Sequence, residues 1–343
     1  MKHNISFIYE VLRNNIVYKT LKAQDGGQIM CNADASIKRS ISCTLEIPAD
    51  VDFLKDELKV SFMLDGIKIP LGIFNITTMP SKVDENGRKT HDCEGYDRTY
   101  KLYQHKIEKR SEAYFKAGRR YTDVIKELLV KAGIIDYIIA DSNLTLSVDR
   151  EEFEVGTNYL TIINTLLNEI NYTAVWFDSN GYARADVYES PVNRAVTFSY
   201  HSGRDSIIMR SHEAENDSFE SYNVFTVGIS NAEQTIYKTS VNDDITSKLS
   251  TVNRGRIPAP VVMLDSTANE ATAQQYADNL KFKSMISTET VKVKTAIDRQ
   301  HELYEIVEVD LPEVKGKFEE VGYSITLNTS ALMNHTLRRA VYL

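Results

Sequence analysis

Cysteine is scarce. Cys31, Cys43 and Cys93 are the only three in 343 residues, far apart and without C-x-x-C spacing, so neither a disulfide framework nor a cysteine-based zinc site is expected. The seven histidines show no H-x-x-x-H or H-E-x-x-H spacing, Asp243-Asp244 lacks an EF-hand loop around it, and no glycine-rich phosphate loop of the G-x-x-x-x-G-K or G-x-G-x-x-G kind occurs. No metal and no cofactor is therefore expected. No run reaches the roughly 18 apolar residues of a membrane helix, and the first residues lack the apolar segment of a secretion signal, so the expectation is no membrane insertion and synthesis in the cytosol.

Forty Lys and Arg stand against 48 Asp and Glu, a net charge of −8, which repels polyanions and disfavours stable nucleic-acid binding. A hydrophobic fraction of 42% with 26% charged residues is that of a folded globular chain, and the length exceeds what one core usually organises.

The first ninety or so residues alternate with period two. In IKRSISCTLEI, Ile37, Ile41, Cys43, Leu45 and Ile47 share one side and Lys38, Ser40, Ser42, Thr44 and Glu46 the other, which places Cys43 on a core face. Leu58, Val60, Phe62 and Leu64 run up to Asp65-Gly66, and Ile67, Ile69, Leu71 and Ile73 follow it, the pattern of a type I′ hairpin. Pro70 makes the second strand an edge or a bulge. Asn86-Gly87 marks another turn. From about Tyr96 the period becomes helical: Val124, Ile125, Leu128, Leu129 and Ala132 share a face, with Thr122 as N-cap and Gly133 as terminator. A second helix buries Leu160, Ile163, Leu167 and Ile170 between a Thr157 cap and Asn171, and runs into two strands around Asp178-Ser179-Asn180-Gly181. The remainder returns to strand signals with one helix, where Thr267 and Glu270 have capping-box spacing ahead of Ala273, Tyr276, Ala277 and Leu280. Residues 230–260 have no clear period and read as a long loop.

Few residues suggest chemistry. His91 and Cys93 share a strand face, but nothing supplies an oxyanion hole, and a lone buried cysteine is usually inert. Glu151, Glu152 and Glu154, with the single tryptophan Trp176, are the candidates for glycosidase carboxylates beside a sugar-stacking ring; acidic residues ahead of a helix and an aromatic in a strand explain them as well. Between Arg98 and Arg120 there are eight basic residues (Arg98, Lys101, Lys106, Lys109, Arg110, Lys116, Arg119, Arg120) and two acidic ones (Glu108, Glu112), a local +6. Such a run either faces water or docks an acidic partner.

The succession GRKTHDCEGYDRTYKLYQHKIEKR, YTDVIKELLVKAGI and GTNYLTIINTLLNEINYTAVWFDSNGYARADVYESP resembles the tail hub, or baseplate hub, proteins of tailed bacteriophages and phage-tail-like bacteriocins of Gram-positive bacteria. The likeness is most specific between about Gly87 and Pro191 and extends loosely from IKRSISCTLEI to LRRAVYL. It rests on order, length and texture, since no short motif marks the family. What it implies is a mixed, β-rich fold: a first β-barrel over residues 1–95, an α/β domain over 96–190 and a second tail-tube-like barrel with one helix over 191–343. It further implies a non-enzymatic homotrimeric ring, presenting six barrels to the six-fold tail tube protein and a three-fold face to a central spike protein. Other baseplate proteins would meet its flanks; if the subunits enclose a channel, its acidic wall would let DNA, or the extended chain of a tape-measure protein, pass without sticking. The particle would assemble in the bacterial cytoplasm. Two readings from other classes stand beside it, a cell-wall-degrading enzyme built on the glutamates above and a carbohydrate-binding module using some of the 19 tyrosines.

Overall fold

The computed structural model describes residues 4–151, 153–216, 221–230, 235–264, 270–285 and 289–341. The N-terminal strands are β1 (Ile5–Arg13), β2 (Ile16–Ala23), β3 (Gln28–Asn32), β4 (Arg39–Glu46), β5 (Glu57–Leu64), β6 (Ile67–Thr78), β7 (Ser81–Val83) and β8 (Lys89–Asp97). Six of them close a barrel in the order β4-β2-β1-β5-β6-β8, with β8 returning to β4. The alternation anticipated around Cys43 holds from Ile41 to Leu45, where Ile41, Cys43 and Leu45 are buried and Ser42 is exposed, whereas Lys38, expected on the polar side, is buried with its Nζ on the Ala33 and Ala35 carbonyls. Asp65 and Gly66 both take positive φ between the paired residues Leu64 and Ile67, as a type I′ turn demands. Pro70 lies opposite Ser61 beside a register shift, so the strand accommodates it with a bulge.

Next come α1 (Thr99–Gln104), a 3-10 turn at Arg110–Glu112, α2 (Tyr121–Lys131), β9 (Tyr137–Ile139), α3 (Tyr159–Glu169), β10 (Trp176–Phe177) and β11 (Ala183–Ala185). Their buried side chains form a core of their own, with Val124, Ile125, Leu128 and Leu129 of α2 and Leu160, Ile163 and Leu167 of α3 at its centre. Both helices end as anticipated. Gly133 (φ +75) and Asn171 (φ +58) are left-handed, and the N–H of the residue after each reaches back to Leu129 and Leu167, closing Schellman motifs. The starts differ from expectation. Arg120 precedes α2 without a side-chain cap, leaving Thr122 buried in the first turn, while Asn158 rather than Thr157 caps α3 through Oδ1 to the Thr161 N–H at 2.8 Å. In each case a residue one or two positions away holds the extended backbone a cap needs. Inside this core Arg150 forks onto Glu169 at 2.7 and 2.9 Å.

The last stretch contains β12 (Phe198–His201), β13 (Ile208–Asn216), β14 (Val224–Ser230), β15 (Thr235–Val241), α4 (Thr251–Arg254), β16 (Val262–Leu264), α5 (Glu270–Ser284), β17 (Glu289–Ala296), β18 (Ile306–Asp310), β19 (Lys315–Thr326) and β20 (Leu332–Arg339). A second six-stranded sheet runs β13-β17-β20-β19-β18-β12. Tyr200 from one of its edges and Ile208 from the other enter the same core with Val293, Val309 and Phe318, so the sheet curls around its apolar face. β3 hydrogen-bonds to both β4 and β19, fusing this sheet to the barrel. Between β13 and β17 the chain builds a small layer, β15-β14-β16, covered by Ala273 and Ala277 of α5. The span 230–260 is therefore not the long loop its composition suggests: it contains β15 and α4. The proposed Thr267 cap lies outside the described residues. No described helix is long and apolar enough to cross a membrane.

Candidate functional site

The chemical candidates do not converge. Cys93 faces Cys43 across β4 and β8, and all three cysteines are buried free thiols. Burial, reinforced for Cys93 by Asp92, pushes the Cys93 thiol up to about 12; burial also pushes Cys31 up to about 11, so neither is a nucleophile at neutral pH. Glu151 is exposed and 3.6 Å from Arg110, Glu154 is exposed, and Glu152 lies outside the described residues. Trp176 instead stands edge-on to Tyr304, centroids 6.0 Å apart, in a cleft of about 1190 Å³ that Tyr172, Tyr188 and Glu319 also line. Neither Glu151 nor Glu154 is among the residues of that cleft.

The basic stretch divides. Arg98 is 4% exposed and belongs to the interior. Its guanidinium forks onto Glu57 (Nε 3.0 Å, Nη2 2.8 Å), donates to the Gly181 carbonyl at 3.2 Å and to Asp136 at 3.4 Å, and meets the Asn15 side chain. Lys101 adds Nζ to the same Glu57 at 2.9 Å. Burial alone would raise the Glu57 pKa, but the two cations outweigh it and hold the carboxyl below its usual range. Arg98 is thus corrected from a docking residue to a pin between the barrel, which supplies Asn15 and Glu57, and the hairpin at Gly181. Gly181 takes φ +85°, and a Cβ there would also meet the tip of Ile73 at 2.6 Å, so the turn favours glycine. Of the others, Arg110, Arg119 and Arg120 pair with Glu151, Glu127 and Asp123. Lys106, Lys109 and Lys116 are exposed, and none is ion-paired with a described residue.

A third cluster, which the sequence did not single out, occupies the loop 297–305. Arg39, 2% exposed, donates Nη1 to the Leu71 carbonyl at 2.6 Å and Nη2 to Glu302 at 2.7 Å. The other Glu302 oxygen accepts from the Ser179 N–H at 2.8 Å and from its hydroxyl. One carboxylate thereby ties the barrel, the α/β hairpin and the C-terminal strands together. Beside it Glu320 accepts from His301 Nδ1 at 3.0 Å and from His335 Nδ1 at 2.6 Å, while the far nitrogens meet Tyr200 OH (2.8 Å) and Thr295 Oγ1 (2.9 Å). Burial would lower His301, but hydrogen bonds to Glu305 and Glu320 reverse it and raise it to about 9. Burial would raise Glu320, but the two imidazoles hold it low. A signal for these residues exists: Arg39 and His335 each interrupt an apolar alternation, between Ile37 and Ile41 and between Met333 and Leu337, so a charge or imidazole falls on a core face.

No family model matches the chain, and no curated protein matches it. Solved structures do. The tail protein from Neisseria meningitidis superposes with a TM-score of 0.72 at 14% identity, covering 97% of both chains. Its fold is that of phage tail proteins. The 43 kDa tail protein of prophage MuSo2 from Shewanella oneidensis gives 0.69 at 11% identity over 98% of this chain and 99% of that one. A prophage tail protein from Listeria monocytogenes gives 0.60 at 13% identity over 97% and 94%.

Proposed function

We propose that this chain is a structural component of a phage tail or phage-tail-like particle, and specifically the hub that joins tube to spike as a homotrimeric ring. The observation carrying the reading is the end-to-end superposition on tail proteins, which leaves little of either chain unmatched. Closure of the first barrel and the curl of the second six-stranded sheet around one core support two barrel-like units flanking the α/β segment 96–190. Exposed apolar side chains on the barrel, Ile16 (71%), Leu54 (93%) and Ile67 (67%), are what a subunit buries on assembly. β2 also pairs with β4 only at Lys22 and Ala23, so its Ile16–Leu21 segment keeps an open edge among the described residues. Lys106, Lys109 and Lys116, with Arg110, Arg119 and Arg120 around them, remain the docking surface for an acidic baseplate partner. Light scattering of the purified chain, alone and mixed with the tube protein of the same particle, tests the reading; a chain that stays monomeric in both opposes it. The Trp176 cleft favours carbohydrate binding as a second reading, and silence on a glycan array removes it.

A further inference from the structure

We propose that His301, Glu305, Glu320 and His335 form a closed, structural site for a divalent transition metal with the ligand preferences of zinc. One ligand atom from each of His301, Glu320 and His335 lies within 4.8 Å of the others, and all three residues are buried. Glu305 brings a second carboxylate to within 3.5 Å of the His301 Nδ1.

The charge balance points to a cation. Glu302, Glu305 and Glu320 meet in this loop, and Arg39 answers only Glu302. Arg299 is engaged by Asp298. Two carboxylates, Glu320 buried and Glu305 half-buried, therefore share the pocket with two imidazoles and with no Lys or Arg among the described residues. His301 Nδ1 faces Glu320 at 3.0 Å and Glu305 at 3.5 Å, and a single N–H serves one of them well, whereas a cation there serves both. The far nitrogens are already held by the Tyr200 and Thr295 hydroxyls, the outer-layer contact that leaves Nδ1 as the coordinating atom.

The distances permit it with a small adjustment. Tetrahedral ligands about 2.0–2.2 Å from zinc sit about 3.4 Å from one another. The His335–Glu320 contact of 2.6 Å would therefore open by somewhat under about 1 Å. Glu320 sits at a register shift of β19 against β20, where the ladder already gives. On binding, each Nδ1 gives up its proton, to the far ring nitrogen where that is free of one and otherwise to solvent, so uptake liberates up to two protons and weakens in acid. His301, Glu320 and His335 are buried and Glu305 closes the fourth position, so none is left open for a substrate; the site would fasten β19, β20 and the loop that Arg39 and Ser179 also hold.

The untagged full-length chain, purified without chelator, is tested by elemental analysis, then stripped and titrated with zinc. The expected results are about one zinc per chain and a rise in melting temperature of several degrees on zinc return. Glu305→Gln, at the most exposed ligand, should weaken zinc at least about tenfold in a chelator competition while the chain still folds, and His335→Gln should do so more strongly. A stripped chain that takes up no zinc and gains no stability overturns the proposal, leaving protons as the occupants. Stoichiometric zinc retained with unchanged affinity in Glu305→Gln overturns it equally, by placing the metal elsewhere.

Discussion

Replacing Arg98 with methionine keeps much of the side chain's volume and removes only its charge and donors. Glu57, itself buried, would then lose two hydrogen bonds at 3.0 and 2.8 Å and keep Lys101 as its single cation. Breaking a buried pair from one side costs about 3–5 kcal/mol because the remaining charge is uncompensated. Lys101 offsets part of this, so the expected loss is about 3 kcal/mol, to which the orphaned Gly181 carbonyl adds about 1 kcal/mol. Adding Glu57→Gln removes the stranded charge, so the double variant should be more stable than Arg98→Met alone, a coupling that a double-mutant cycle in urea measures on the first unfolding transition. If Arg98 were a surface docking residue, the single change would leave unfolding within about 0.5 kcal/mol of the parent and impair only partner binding. That outcome would refute the buried-pin assignment.

Asp97 supplies a pH test. Burial raises its carboxyl from 3.8 to about 6, so its folded form favours the proton; its contribution to stability is greatest below about pH 4 and is lost as pH rises through 6. The two-unit difference is about 3 kcal/mol, and Asp97→Asn should recover most of it at pH 7 and little at pH 4 by denaturant titration; equal effects at both would contradict the assignment. Cys31, Cys43 and Cys93 should resist a thiol reagent in the folded chain and react together on unfolding, and rapid labelling of any one without denaturant would show its surroundings misjudged. Gly181→Ala, with φ at +85° and Ile73 in the path of the new Cβ, should lower the melting temperature by several degrees, whereas an unchanged value would mean the hairpin can withdraw. Reversing Arg119 and Arg120 to Glu should weaken partner capture with little change in stability, since both are surface pairs worth about 0–1 kcal/mol each.

What was legible in the sequence was local. The Asp65-Gly66 turn, the Pro70 bulge and the left-handed ends of α2 and α3 depend on a few adjacent residues, and each is where the pattern places it. The α3 cap was misplaced by one position because Thr157 and Asn158 both carry a suitable oxygen and only backbone conformation chooses between them, while at α2 the residue before the helix is Arg120, which has no capping oxygen for the sequence to signal. Residues 230–260 hid a strand because β15 belongs to a thin layer covered by alanines, which asks little apolar content of it. Arg98 was misread for a reason that also concealed Glu302: its partners are 38 to 83 residues away, and Arg39 meets Glu302 across 263 residues. Charge counted along the chain cannot distinguish a buried pair from a solvated face.

The most direct test of the tail-hub reading is the solution mass of the chain by light scattering. A ring of three gives three times 39.0 kDa, or 117 kDa, for the chain alone, or a heavier complex holding three copies of it once the tube and spike proteins are added. A mass that stays at 39.0 kDa with both partners present would contradict it.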